Sequence, residues 1–184
     1  MKVYLRSFQA SDYVLINKWR NDQEIQKLTI STFFYISEET DRNWVLEKMK
    51  YSQKEIYCAV CLKETDEMIG YTSLNDIDLL HRKCIWGGIV IGAEAGKGKN
   101  AAFETGFLMM EYAFYSLNLN RVMTRYLEIH ERSSRLCCKL GFQDEGKFRK
   151  SVFKHNAWHD EVNVGLLKED FELIAAKFKT ENAL

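Results

Sequence analysis

The chain has no proline in 184 residues. Its loops must turn on Gly, Asn, Asp and charged residues, because no pyrrolidine ring pre-sets φ. It also has no surplus of either charge: Lys and Arg number 26, Asp and Glu 26. Without a basic excess, neither nucleic acid nor an anionic membrane is an expected partner. No apolar run approaches the about 20 residues that cross a bilayer. The opening "MKVYLRSFQASDY" lacks the apolar core of a signal peptide. The five cysteines (Cys58, Cys61, Cys84, Cys137 and Cys138) suggest no disulfide framework, so a reduced, cytoplasmic protein is expected. Cys58 and Cys61 have C-x-x-C spacing inside "EIYCAVCL", which alternates as a strand. An offset of three sends them to opposite faces, and no metal site is expected.

What is present fits one domain over 1–184, with 170–184 as a polar terminal helix or tail. Hydrophobic residues make up 46% of the chain, enough for a sizeable core. Met1–Ser7 reads as a strand. Ser11 is placed to cap a helix carrying Leu15, Ile16 and Trp19 on one face. Ser37 opens a second helix, with Glu38 and Glu39 in its first turn. "EIYCAVCL" and "EMIGYTSL" form a hairpin, and "KCIWGGIVI" a third strand with Gly87 and Gly88 inside it. Glycines there mark a bulge or a close approach. Phe103, Phe107, Met110, Phe114 and Leu117 recur at helical spacing. "NRVMTRYLEI" is a strand, "ERSSRLCCKLGF" a helix ended by Gly141, and two strands flank the turn Lys154–Trp158. The order β-α-α-β-β-β-α-β-α-β-β describes an α+β, or mixed α/β, domain.

The segment "GIVIGAEAGKGKNAAFE" leads from strand to helix through two glycines and two lysines. Such a junction cradles phosphate, since helix-start N–H groups are unpaired and carry about half a positive charge. A Walker A loop fits poorly: Ala93 stands where its first glycine belongs, and Asn100 replaces its hydroxyl. Gly96-x-Gly98-x-x-Ala101 matches the dinucleotide fingerprint. However, a strand, two helices and a hairpin precede it, and the acidic residue expected about 20 positions on is missing. A nicotinamide-dependent oxidoreductase would rest on that match alone.

A third template covers nearly the whole chain. "WRND" (Trp19–Asp22), "GIVIG", the loop Lys97-Gly98-Lys99-Asn100-Ala101-Ala102, "LNLNRV" and "HERSSRLCCKLGF" occur in one order and spacing. In that order they resemble the GNAT superfamily of N-acetyltransferases. The similarity is closest to the branch acting on ribosomal-protein N-termini, polyamines and nucleotide-amino sugars. The resemblance implies a mostly antiparallel twisted sheet, splayed at a cofactor cleft. It implies acetyl-CoA as co-substrate and no metal. The strand Ile89, Val90, Ile91 would bind the pantetheine arm, and the backbone of Lys97, Gly98, Lys99, Asn100, Ala101 and Ala102 the pyrophosphate. Gly87-Gly88 falls where the family's strand bulges.

The same resemblance locates departures. Asn100 stands for a loop glycine, and Asn tolerates left-handed backbone. His130 replaces a cofactor-contacting asparagine. Cys137 replaces a tyrosine that protonates the leaving thiolate; a cysteine there is also ordinary core. Ser133 matches a serine proposed for that acid role, and would equally cap a helix. The ribosomal branch's acidic position is Val152. Glu128, Asp76 and Asp78 are candidate bases, or else solvated turn residues, and water-mediated deprotonation is a further route. Trp19, Arg20, Asn21 and Asp22 stand where the family's variable acceptor wall begins, and Asp76 is a further candidate substrate contact. Tyr35, Trp44 and Trp158 are candidate pocket walls or packing. His159-Asp160-Glu161 is read as structural. The expected activity is direct acetyl transfer to a primary amine, preferably a small molecule such as an amino sugar. A protein N-terminus is the alternative acceptor, and a CoA-binding module without catalysis the alternative class. Monomer and homodimer both remain open.

Overall fold

The computed structural model of the protein describes residues 1–98 and 100–182. One sheet of seven strands runs in the order β1-β2-β3-β4-β5-β7-β6. The strands are β1 (Val3–Ser7), β2 (Ile56–Leu62), β3 (Met68–Asp78), β4 (Lys83–Ile91), β5 (Arg121–Leu127), β6 (Gln143–Lys154) and β7 (Ala157–Leu167). Only the central pair β4–β5 is parallel; every other pair is antiparallel. The mixed α/β class and the mostly antiparallel sheet agree with the sequence reading, and so does the element order apart from one additional short helix, Gln23–Gln26, between the first two strands.

Helices cover both faces. On one lie α1 (Tyr13–Arg20), the short α2 (Gln23–Gln26) and α3 (Glu38–Lys48). Ile16, Trp19 and Val45 pack there with Phe8 on Ala59, Cys61 and Met68. On the other lie α4 (Ala101–Glu111), α5 (Glu131–Leu140) and α6 (Lys168–Asn182). Their core joins Phe107, Met110 and Phe114 to Leu140, Trp86, Val122 and Leu166. Alternation along β2 puts Cys58 toward the second core and Cys61 into the first, as an offset of three requires. All five cysteines are free thiols.

Local signals set several boundaries. Ser37 Oγ accepts from Thr40 N at 3.2 Å and caps α3. Gly141, at φ +92, ends α5. His155 and Asn156, at φ 50 and 59, make the two-residue turn between β6 and β7. This left-handed pair matches the sheet twist without glycine or proline. Two readings need correcting. Ser11 caps nothing: a 3-10 turn over Ala10–Asp12 precedes α1, and Asp12 bonds back to Gln9 N at 2.8 Å. Asp12 wins because its buried carboxylate also takes both amino groups of Arg6, at 2.8 and 3.0 Å. The terminal segment is the helix of the two alternatives, α6, but not a polar one. Phe171 and Ala175 of α6 are buried, and the Phe178 ring lies 4.6 Å from that of Phe107. Burying one such side chain stabilises by about 1.5–3 kcal/mol, which fastens α6 to the core.

Candidate active site

β4 and β5 pair only over Lys83–Ile85 and Arg121–Met123. A last tie is Thr124 Oγ1 donating to Trp86 O at 2.9 Å. Past it the strands part, while β4 stays paired with β3 through Ile89–Thr72, Val90–Tyr71 and Ile91–Gly70. Ile89, Val90 and Ile91 therefore present a free backbone edge to the opening. A bulge causes the parting: Gly87 and Gly88 together face the single residue Ser73. Gly88 has φ +85, which glycine adopts without a Cβ penalty. Gly87 supplies space, because a Cβ there would lie 2.3 Å from Ser73 Oγ and 2.4 Å from Asn75 Nδ2. Thr72 Oγ1 pins the bulge by donating to Gly88 O at 2.8 Å while accepting from Trp86 Nε1 at 2.9 Å. The extra residue also reverses the alternation. Cys84, Trp86 and then Ile89 and Ile91 face the α4 side, while Val90 faces α1.

At the end of β4 the chain turns into α4. Asn100 takes φ 60, ψ 13, the left-handed conformation that a glycine would otherwise supply. The first α-helical bond is Glu104 N to Asn100 O at 3.1 Å. The amides of Ala101, Ala102 and Phe103 lie ahead of it, and such amides form an anion site. Gly98, also left-handed at φ +71, leads in. Lys97 is exposed and pairs with Glu94. Lys99 lies outside the described residues. Gly96 serves packing, since a Cβ there would meet Ile91 and Ile69 at 2.8 and 2.9 Å. This backbone suits a pyrophosphate, and the free edge of β4 suits an amide-bearing arm. Together they fit coenzyme A.

At the N-terminus of α5, Ser133 Oγ lies 2.8 Å from His130 Nδ1. His130, not Ser133, occupies the N-cap position of this helix, and its side chain makes no capping hydrogen bond. Burial, with Arg132 nearby, lowers the His130 pKa, so the ring is held neutral. The pair joins a hydroxyl to a neutral imidazole, a group able to hold or pass a proton. Cys137 sits one helical turn on, in the core. Burial pushes its thiol up to about 12, so it gives up a proton less readily than an ordinary thiol. That environment is one of packing and departs from the expected acid. Glu128 is half-exposed and pairs with Lys147. Asp76 is exposed at φ 48, in an irregular stretch of β3. Asp78 is held below its usual range by His81, whose backbone N–H donates at 2.9 Å and whose Nδ1 lies at 2.7 Å. Val152 is buried opposite His159.

The "WRND" residues frame the acceptor side. Trp19 is buried against Tyr71, and its ring fills the place a Gly92 Cβ would take. Arg20 pairs with the fully buried Asp41 and lies over the Trp44 ring. Asn21 clamps the chain at Ile36, donating to its carbonyl and accepting from its N–H, both at 2.9 Å. Asp22 caps α2. These partners give Trp19, Arg20 and Asn21 a framework role on the side of the sheet where the acceptor wall is expected. Opposite them the β6–β7 turn docks: Lys154 Nζ donates to Gln26 O at 2.6 Å, and His155 Nε2 lies 3.2 Å from Lys27 O. A cavity of about 420 Å³ lies between, with Phe33, Tyr35 and Phe153 in its walls. Tyr35 is therefore a wall. Trp44 packs on Phe8 and Tyr57, and Trp158 is exposed against Phe153.

Sequence reasoning missed two residues here. Lys139 reaches back from α5 to Asn100 Oδ1 at 3.2 Å, putting a cation at the cradle. Asp41 carries the framework of the acceptor side. Each is one charged residue in a polar helix, and nothing local distinguished either.

A parted parallel pair, a bulge and a helix-start cradle suit an acyl-CoA-dependent transferase. Residues 2–143 match the acetyltransferase (GNAT) domain family, and the chain belongs to it. It is an N-acetyltransferase, like its relatives. The SPbeta prophage-derived uncharacterized N-acetyltransferase YokL of Bacillus subtilis is 28% identical over 169 residues, 92% of each chain. The [ribosomal protein uS5]-alanine N-acetyltransferase of Escherichia coli is 26% identical over 105 residues, 57% of this chain and 54% of that one. Spermidine N-acetyltransferase of Vibrio cholerae, solved with CoA and spermine, shares the fold at a TM-score of 0.84 and 20% identity. That alignment covers 93% of this chain and 98% of the other. Among the described residues no helix is long and apolar enough to cross a membrane, and no group of His, Cys, Asp or Glu could hold a metal.

Proposed function

We propose that the chain transfers acetyl from acetyl-CoA directly to the primary amine of a small molecule, an amino sugar first among them. The observation that carries this is the junction of β4 and α4. One backbone path supplies a free strand edge at Ile89–Ile91 and a left-handed turn at Asn100 into unpaired helix amides. The bond formed joins the amine nitrogen to the acetyl carbon, and the bond broken is carbon–sulfur. The amine loses one proton and the thiolate gains one, for which Ser133, paired with His130, is the proposed donor. Glu128 is the proposed route for the amine's proton once it parts from Lys147.

The acceptor wall supports a small molecule. Its cavity of about 420 Å³ is of small-ligand size. Its lining includes Lys27 and Lys154 and, among the described residues, no carboxylate, so it disfavours a polycation and suits a neutral or anionic amine. The likeness to the uS5-alanine enzyme supports a second reading, a protein N-terminus. Calorimetric titration with acetyl-CoA, then thiol release with amino sugars, polyamines and N-terminal peptides, tests both. No binding at millimolar acetyl-CoA would end the proposal. Turnover of peptides alone would move it to the second acceptor.

A further inference from the structure

Lys154 ends β6 and pairs with Ala157 across the two-residue turn. Its side chain is half-buried. Nζ crosses to the end of α2 and the loop beyond it, donating to Gln26 O at 2.6 Å and to Thr29 Oγ1 at 3.2 Å. Both acceptors are uncharged, and among the described residues Lys154 forms no ion pair. Lys147, earlier on the same strand, is the contrast: its hydrogen bond to Glu128 raises its pKa. For Lys154 only burial acts, and it lowers the pKa. An ammonium has three N–H donors, and two are spent. Neutral partners thus hold this cation in place without cancelling its charge. The cost of desolvating it is one that a bound anion would offset.

Lys154 lines the cavity of about 420 Å³ together with Lys27 and His155, beside the aromatic rings of Phe33, Tyr35 and Phe153. Lys27 has a partner, Glu24 at 3.8 Å, and both are exposed. None of the lining comes from β4, α4 or α5, which carry the cofactor side. An anion held here therefore belongs to the acceptor and not to coenzyme A. We propose that Lys154 binds an anionic group, phosphate or carboxylate, on the acceptor, so that the preferred substrates are amines carrying negative charge. This rests on the acetyl-transfer reading above and narrows it to the anionic side. The aromatic rings supply apolar surface for the rest of a small molecule, as in most ligand pockets. Lys154 is thus a specificity residue: it meets the acceptor's charge and takes no part in the exchange of bonds.

The test uses the full chain and three probes that differ at one carbon: glucosamine, its primary-hydroxyl phosphate ester and its uronic acid. Binding is measured by calorimetry, acetylation by thiol release, and folding by thermal melting. The anions are expected to bind about 10–100-fold tighter than glucosamine, the range for a charge-assisted hydrogen bond, with kcat/KM raised in step. Whether phosphate or carboxylate binds tighter identifies the group that is read, and either order supports the assignment. Lys154→Gln should abolish most of the preference, with affinity for glucosamine and acetyl-CoA held within about twofold. Lys154→Arg keeps a cation and should keep the preference within about threefold. Lys27→Gln should reduce it by only about twofold, because that charge is exposed and already faces Glu24. Equal binding of the three probes overturns the assignment, as does failure of both anions to bind at millimolar concentration. So does a Lys154→Gln variant that keeps the preference, or one that loses glucosamine affinity and melting temperature together with it, the mark of a merely structural strap. A folded Arg variant as indifferent as Gln, or a larger loss at Lys27, overturns it too. Anion preference without acetyl transfer to any amine removes the acetyl-transfer reading, and the acceptor role with it. Acetyl transfer without anion preference removes the assignment alone.

Discussion

The two sides of the cleft are built from different materials. The cofactor side is backbone: a free strand edge, a two-glycine bulge and a left-handed residue ahead of the first amides of α4. The acceptor side is side chain held by side chain. Arg20 is held by Asp41 and Trp44, Asn17 bridges Asp41 and Ile36 at 2.8 and 2.9 Å, and Lys154 spans to Gln26 and Thr29. The difference has a consequence. A backbone site tolerates replaced side chains as long as φ and ψ survive, which is why Asn100 can stand for glycine. A side-chain framework is sensitive to each member, and its pocket changes whenever one is exchanged.

Substitutions can break that contrast, the largest effect coming at the bulge. Gly87→Val forces a Cβ onto Ser73 and Asn75, and should cut acetyl transfer by roughly 100-fold or more through misplacement of β4. Thiol release measures it, and a value within tenfold would show that the bulge does not set the geometry. Asp41→Ala should leave Arg20 without its carboxylate and Asn17 with only its bond to Ile36, at a cost of about 2–4 kcal/mol in urea unfolding. Acetyl-CoA affinity should be nearly unchanged, because the loss lies on the other side of the cleft.

Asn100→Ala should cost about 1 kcal/mol of stability for its left-handed φ and weaken acetyl-CoA, while Asn100→Gly should be close to neutral. Equal behaviour of the two variants would mean that the Asn side chain matters, not the backbone. Lys139→Gln should weaken acetyl-CoA by about threefold to tenfold at low salt, and by less as screening grows. The smallest effect concerns His130. Burial lowers its pKa in the fold, so the unfolded chain takes up its proton first as pH falls. Its contribution is therefore complete above the unfolded value of about 6.5 and declines below it. His130→Asn should flatten the melting temperature as pH falls below about 6.5. An unaltered slope would place the titration elsewhere.

Much of the fold was legible because its signals are periodic. The recurrence from Phe103 to Leu117, the alternation of "EIYCAVCL" and the Ser37 cap each depend on neighbours in sequence. The apolar face of α6 was missed because Phe171, Ala175 and Phe178 are spread among charged residues, and only the groove at Phe107 shows what they bury against. The bulge was legible from two adjacent glycines. The role of "WRND" was not, since the same four residues would serve equally as a wall or as a frame. Asp41, fully buried, decided it.

The sequence by itself determined the family, the strand-to-helix junction and the left-handed tolerance of Asn100, because all three are properties of short contiguous backbone. Tertiary structure alone decided that Lys139 stands at the cradle, that Cys137 is core, and that Arg20 pairs with Asp41. Those outcomes depend on burial and on charge partners contributed by separate elements, and spacing along the chain encodes neither.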